Sequence, residues 1–213
     1  MKLIFTSLLF LFLSNSLYAH TFTGKIGFLD GISHPVLGFD HFLAMVSVGI
    51  ISSQFGKRLI WTIPSVFVLV MIIGGIFGIS FEFYTKESFQ NMDNNEVIQI
   101  FYFARYINSA VEYGIIFSVI FLGGCIAIEQ KLPVKIIMAF VAFFGFCHGV
   151  AHGLEMPWAV NPLLFGLGFS TGTAILHIFG VIIGYFSIKS SISSLILRFL
   201  GMMISFYGIY LIF

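Results

Sequence analysis

The chain has 213 residues, of which 59% are hydrophobic and only 9% are charged, and its formal net charge at pH 7 is +1. A soluble domain carries roughly 25% charged residues, so this composition excludes an ordinary soluble protein and predicts one that has lipid as its solvent. The near-neutral charge gives no basis for nucleic-acid binding, and Cys125 and Cys147 lie in apolar segments without a CxxC motif, which favours buried thiols over a disulfide.

The first nineteen residues are typical of a targeting segment. Lys2 gives a short basic start, an apolar core follows, and the polar end offers a cleavage point after Ala19 or Ser16. The apolar core is too short to cross a hydrocarbon layer of about 30 Å. We therefore expect residues 1–19 to be a cleaved signal peptide and residues 20–213 to form a single membrane domain, with an uncleaved first helix as the alternative.

Six apolar runs in the rest of the chain are each long enough to cross a bilayer, which takes about 20 residues. Lipid cannot satisfy free backbone hydrogen-bonding groups, so every span must be a helix. The sequence thus predicts an all-α integral membrane protein with a bundle of six transmembrane helices. The predicted spans are residues 35–55, 59–80, 104–128, 135–156, 163–188 and 194–213.

Basic residues between the spans predict the orientation. They lie in the loops that follow the first, third and fifth spans: Lys57, Arg58, Lys131, Lys135 and Lys189. The loops on the other side are mostly acidic. Since basic loops stay in the cytoplasm, we expect both the mature N-terminus and the C-terminus to lie outside.

The segment "CHGVAHGLE" brings polar groups into the outer half of the fourth span. On a helix, His152 lies about 40° around from His148, and Glu155 lies about 20° to the other side, so all three project from one face. Beside this face runs a stripe of small residues, which allows another helix to approach closely. The stripe consists of Gly145, Gly149 and Gly153.

The first span begins with a similar pattern, "SHPVLGFDH". Ser33 or His34 is expected to cap the helix, because Pro35 suits the first helical position. His34 and His41 are seven residues apart and share a face if the helix reaches back that far. Asp40 lies beside His41, so these groups also enter from the outside.

Two further spans carry single polar groups. The third span has Asn108 and Glu112 on one face, and the fifth span places His177 near mid-depth. Glu112 could form a structural ion pair with Arg105, and a lone His177 could be an ordinary interhelical hydrogen bond. These alternatives weaken when the polar groups of all spans are considered together.

Eight candidate ligands from four helices lie in the outer half or near the middle of the membrane. A charge there costs about 2.5–3.5 kcal/mol on insertion scales, so such residues usually mark a site or a pathway. Imidazole and carboxylate without thiolate suit nickel, cobalt or zinc, and eight ligands exceed the needs of one ion, which indicates two successive sites. The candidates are His34, Asp40, His41, Glu112, His148, His152, Glu155 and His177.

These residues resemble the motifs of the HupE/UreJ family of nickel permeases. His34-x5-Asp40-His41 resembles its HX5DH motif, and residues 148–155 resemble its HGXAHGXE motif. "TAILHIFG" is similar to the family's "TALLHLAG", and "SAVEYGIIFSV" is similar to the stretch around its third-span glutamate. The resemblance covers nearly the whole mature chain in the same order, and one departure is Cys147, where the family usually has Phe.

The resemblance implies a permease of the bacterial cytoplasmic membrane rather than an enzyme. Its cargo would be Ni²⁺ or Co²⁺, with Zn²⁺ ranked behind them, moved inward for metalloenzymes such as hydrogenase or urease. The ion would be a transported substrate, and no tightly bound cofactor is expected. The residues that the resemblance assigns to the ion are His34, Asp40, His41, His148, His152 and Glu155.

Two rival functions remain at this point. An intramembrane zinc hydrolase could use His148 and His152 as ligands and Glu155 or Asp40 as a base, and it would need an open coordination position beside a lipid-accessible groove. Bis-histidine haem binding would need facing histidines with few carboxylates nearby. The many carboxylates disfavour haem, and the excess of ligands disfavours the hydrolase.

Overall fold

The computed structural model describes residues 27–89, 94–129, 132–156 and 161–213, and those ranges are all-helical, as predicted. The expected signal peptide lies outside the described residues. The helices are α1 (Phe28–Leu37), α2 (Phe39–Phe55), α3 (Leu59–Phe89), α4 (Asn94–Ile128), α5 (Val134–Leu154), α6 (Pro162–Ser187) and α7 (Ser191–Tyr210).

Helices α3 to α7 are each long and apolar enough to cross a membrane. Helices α1 and α2 meet that criterion only as a pair, with a bend of 87° between them, so the described chain has six spans if the pair is one broken span. Large apolar side chains on the outer surface, such as Trp61, Leu69 and Ile73, are exposed where lipid would surround them. The protein is therefore a multi-pass membrane protein.

The predicted start of the first span is wrong. Helix α1 begins at Phe28, where Asp30 Oδ2 accepts a hydrogen bond from the Gly27 N–H at 3.0 Å, and Pro35 lies inside this helix. The chain then bends at Gly38, whose extended backbone ends α1 and whose carbonyl accepts from Phe42 N at 2.8 Å. A proline followed by a glycine fits a helix start or a break equally well, since both residues disfavour a continuous helix.

Helices α3 and α5 pack backbone against backbone. A Cβ built on Gly149 would collide with the carbonyl of Met71 in α3, and one built on Gly78 would lie 2.5 Å from the carbonyl of Val150 in α5. The predicted small-residue stripe of the fourth span is thus confirmed. Its partner is the helix of the second span.

Helices α2 and α6 meet in the same way. A Cβ on Gly49 would collide with the carbonyl of His177, and one on Gly180 with the carbonyl of Val46. A further close approach joins α1 to α6, because a Cβ on Gly168 would collide with the carbonyl of Phe28. These contacts hold α1 and α2, the two helices of the broken span, against α6.

Candidate metal site

Six of the eight predicted ligands line one cavity of about 310 Å³. The cavity lies at the end of the bundle where α2 begins and α5 ends, and α4 and α7 close its other side. The bend between α1 and α2 turns both of their polar segments towards it. Its six candidate ligands are His34, Asp40, His41, Glu112, His152 and Glu155.

The tightest group in the cavity joins His34, His152 and Glu155, whose potential ligand atoms all lie within 4.8 Å of one another. His34 Nε2 is 3.0 Å from His152 Nδ1, so one ring donates its N–H to the other. The Glu155 N–H donates to the Ala151 carbonyl at 3.1 Å, which keeps the last turn of α5 closed. His152 and Glu155 therefore share a face, as the spacing predicts.

His41 and Asp40 form the second element of the cavity. Asp40 Oδ1 accepts hydrogen bonds from the backbone N–H of His41 at 2.9 Å and from its Nδ1 at 2.8 Å. A carboxylate can only accept, so the ring proton is on Nδ1 and the unshared pair of the neutral ring is on Nε2. That Nε2 is buried and has no hydrogen-bond partner among the described residues. The ring centroids of His41 and His152 are 4.6 Å apart.

His148 lies one step deeper than the cavity and does not line it. Its ring centroid is 5.1 Å from that of His41, and its side chain is fully buried. The Nδ1–H of His148 donates to the Phe144 carbonyl at 2.8 Å. Its Nε2, like that of His41, has no partner within the described part of the chain.

His177 is separate from the cavity. It is 1% exposed, and neither of its ring nitrogens has a hydrogen-bond partner among the residues that the structure describes. Its ring packs edge-on against Phe67, with centroids 5.1 Å apart. The interhelical hydrogen bond that offered an ordinary explanation for His177 is therefore not found in the described chain.

Glu112 stands at the edge of the cavity on α4. It accepts a hydrogen bond from Asn108 Nδ2 at 2.9 Å, which agrees with their predicted common face. The described residues contain no ion pair between Glu112 and Arg105. A purely structural pairing thus does not explain this glutamate.

Sequence reasoning missed the aromatic side chains that surround the histidines of the cavity. The Phe169 ring lies 4.4 Å from that of His152, and Phe165 lies 5.7 Å from His34, both by centroid. On another side Tyr207 of α7 lines the cavity and packs against Phe39 at 5.1 Å. Phenylalanines at helical spacing in an apolar span are indistinguishable from ordinary core residues, so no sequence signal could have identified them.

The sequence that forms this cavity is similar to the sequences of known proteins. Residues 8–82 and 102–211, which include all eight candidate ligands, match the family described as HupE / UreJ protein. Protein HupE of Rhizobium leguminosarum bv. viciae is 34% identical to this chain over 176 residues, which are 83% of this chain and 80% of that protein. No solved structure shows a significant match.

Proposed function

The chain belongs to the HupE / UreJ family, and we propose that it is a permease that carries Ni²⁺, or Co²⁺, through the bacterial inner membrane into the cytoplasm. The observation that carries the proposal is the cavity in which nitrogen and oxygen atoms of His34, His152 and Glu155 converge. Both ions would supply metalloenzymes such as hydrogenase or urease, and Zn²⁺ is the weaker candidate cargo.

The donor set supports a divalent ion of borderline hardness. Imidazole nitrogens and carboxylate oxygens line the cavity, and neither Cys125 nor Cys147 does. Soft ions that prefer thiolate would find no such ligand there. Two nitrogens about 2.1 Å from one ion and at right angles to each other are about 3.0 Å apart, which is the separation of His34 Nε2 and His152 Nδ1.

Capture begins when a hydrated ion enters the cavity from outside. His34 and His152 give up the hydrogen bond between them, and the ring that donated it turns over or moves its proton to its other nitrogen, so that each ring offers a lone pair to the ion in place of a water molecule. Glu155 supplies negative charge at the same point, and His41 offers its Nε2 from the facing helix. Imidazole binds a metal ion only in its neutral form, so the charge of a bound ion is met by carboxylates alone.

The driving force would be the ion's own gradient or the membrane potential. The sequence contains no glycine-rich ATP-binding loop. A potential that is negative inside contributes about 2.3 kcal/mol per charge for each 100 mV, and twice that for a divalent ion. Inward movement of a cation is therefore favoured without a nucleotide.

The proposal is tested with purified protein in liposomes. We expect an imposed gradient to drive Ni²⁺ uptake, with Co²⁺ and Zn²⁺ compared in parallel, and we expect His152→Ala to abolish it. Protein-free liposomes and the His152→Ala protein are the controls. Uptake of Ni²⁺ and Co²⁺ no faster than in protein-free liposomes would contradict the permease.

One observation favours the rival hydrolase. A second cavity, of about 360 Å³ and mostly apolar, lies between α3, α5 and α6 and also reaches His152. A lipid-like substrate could approach a bound metal ion through such a groove. Zinc-dependent hydrolysis of an ester or peptide by protein that transports no ion would favour this function, and the same liposomes serve for both assays.

A further inference from the structure

We propose that the second, mostly apolar cavity between α3, α5 and α6 holds an acyl chain of a bilayer phospholipid as a resident ligand. This cavity, the lipid-side groove, has a volume of about 360 Å³ and reaches His152 at its inner wall. The inference concerns the binding of lipid, and it does not depend on the proposed transport of ions.

The rim of the lipid-side groove belongs to the surface that faces the bilayer. Ile76 of α3 is 62% exposed, and Leu163 and Leu167 of α6 are 70% and 52% exposed, although all three line the groove. Both helices are long and apolar enough to cross a membrane, so these side chains meet the acyl chains of the bilayer. The groove is therefore open to lipid between α3 and α6.

The floor of the groove lies well inside the bundle. Phe165 and Phe169 are each 5% exposed and Met71 is 2% exposed, and all three line the groove. The lack of a side chain at Gly166 widens it, since a Cβ built there would meet no atom within 4 Å. This depth distinguishes the groove from the outer surface of a helix, which ordinary annular lipid covers.

The chemistry of the lining fits a hydrocarbon chain. Among the described residues that line the groove, His152 and Ser170 have the only polar side chains, and none is charged. A buried water needs roughly two to four polar partners, and a divalent ion in the membrane needs negative charge beside it. An acyl chain needs neither, and it gains the dispersion contacts with the wall atoms that an empty groove would forfeit.

The length of the groove corresponds to one leaflet. Along α3 it extends from Met71 to Ile79, a rise of about 12 Å in a helix. The hydrocarbon core is about 30 Å thick, so one leaflet contributes about 15 Å. The groove also contacts Pro162 at the start of α6, at the end of the bundle that the basic loops predict to be outside. The expected occupant is thus a chain of the outer leaflet.

The groove meets the cavity of the candidate ligands at His152, which lines both. The Nδ1 of this ring is 3.0 Å from His34 Nε2. Phe169, which lines the groove, packs against the same ring with centroids 4.4 Å apart. An acyl chain in the groove therefore closes the lipid side of His152 and supports the ring from behind.

The experiment measures where lipid is held. Purified protein is placed in liposomes that contain phosphatidylethanolamine with a diazirine in the middle of one acyl chain, and cross-linked lipid is located by mass spectrometry after illumination. The yield on Met71 and Ile79, which line the groove, is divided by the yield on Ile196 and Met203, which are exposed on α7. This ratio compares the groove with the ordinary lipid-facing surface of the same molecule.

Gly166→Phe fills the groove and should lower the ratio by about threefold or more, because the acyl chain loses its contacts with the floor. The matched control is Ile182→Phe, which puts the same ring at an exposed position of the same helix, outside the groove, and should leave the ratio as in the wild type. Gly166→Leu replaces the first variant if phenylalanine prevents folding.

An equal ratio in the wild type and the folded Gly166 variants would overturn the inference, because annular lipid, a second copy of the chain or another segment would then cover the groove. Release of fatty acid from the lipid by protein with Zn²⁺ would also overturn it, since the chain would then be a substrate of the rival hydrolase. Absence of Ni²⁺ uptake by the wild type would refute the permease and leave the lipid site standing.

Discussion

The carboxylate of Asp40 holds the ring of its neighbour His41, with Oδ1 2.8 Å from Nδ1. The bond places the ring proton on Nδ1 and leaves the lone pair on Nε2, the nitrogen that has no partner in the described chain. Carboxylates that orient a metal-binding histidine are a common device, and they also raise the basicity of the ring. Under the proposed function, Asp40 would thus act on the ion through His41 as well as through its own charge.

Asp40→Asn should weaken Ni²⁺ binding by about 10- to 100-fold while the protein remains folded. The amide oxygen can still accept from His41, so the ring is kept in place but its basicity falls. Titration of purified protein with Ni²⁺ measures the effect. Asp30→Asn makes the same change in α1, away from the cavity, and should bind normally; equal losses in both variants would contradict a specific role for Asp40.

His152→Ala and His148→Ala should both abolish Ni²⁺ uptake and leave membrane insertion intact. The two losses of uptake would have different causes, because His152 lines the cavity of the candidate ligands and His148 lies one ring deeper. We therefore expect His152→Ala to lose binding as well as uptake, and His148→Ala to retain more binding. Normal transport by both single variants would exclude this cluster as the ion's site.

Glu112→Gln should impair uptake more than Arg105→Gln. Glu112 lines the cavity and can serve a cation, whereas Arg105 does not line it. Initial uptake rates, normalised to the amount of folded protein, make the comparison. If both changes caused the same mild loss of folded protein and left the normalised rates unchanged, Glu112 would have a structural role.

Lowering the external pH from about 7.5 to about 5.5 should weaken capture, because imidazole binds metal only when deprotonated and its reference pKa is about 6.5. Protonation removes the lone pairs that the ion needs, and the site is lost as the pH falls. Initial Ni²⁺ uptake at fixed membrane potential, with only the outside pH varied, measures this. A steady rise towards pH 5.5 would point to proton coupling instead.

Gly149→Ala should lower the free energy of unfolding by about 1–3 kcal/mol, since the added Cβ collides with the Met71 carbonyl and α3 must move away. Thermal unfolding in detergent is the measurement. Gly75→Ala is the matched control on the facing helix, because its Cβ would meet the nearest atom, the Gly149 carbonyl, at an ordinary 3.7 Å. Equal stability of the two variants would contradict backbone-to-backbone packing at this seam.

Hydropathy is sufficient to locate the spans, because a span requires only a long enough run of apolar residues, and such a run can be read directly from the sequence. It could not reveal the bend at Gly38. The direction of α1 is decided by its close packing on α6 at Gly168, and a contact between residues so distant in sequence leaves no local signal. His34 and His41 consequently meet around His152 from two helices rather than from one face.

The sequence predicts a depth for each candidate ligand from its place within a span, but it does not predict how the ligands are grouped. The excess of ligands indicated two successive sites without saying which residues belong to each. The structure gathers six of the eight in one cavity, and it leaves His148 and His177 outside that cavity with Phe67 between them. Depth fixes one coordinate, whereas grouping depends on the rotation of each helix about its axis. That rotation is set by side-chain packing with neighbours that the sequence does not name.

The glycine contacts divide the bundle into three blocks of closely packed helices, one of which consists of α4 and α7. The other two blocks carry the histidines: α3 and α5 carry His148 and His152, and α1, α2 and α6 carry His34, His41 and His177. A chelate made from both blocks must come apart when they rock against each other, and every distance between the two sets of histidines then changes at once. Under the proposed function, capture and release would therefore correspond to two relative positions of these blocks, which move against each other at the seam between them.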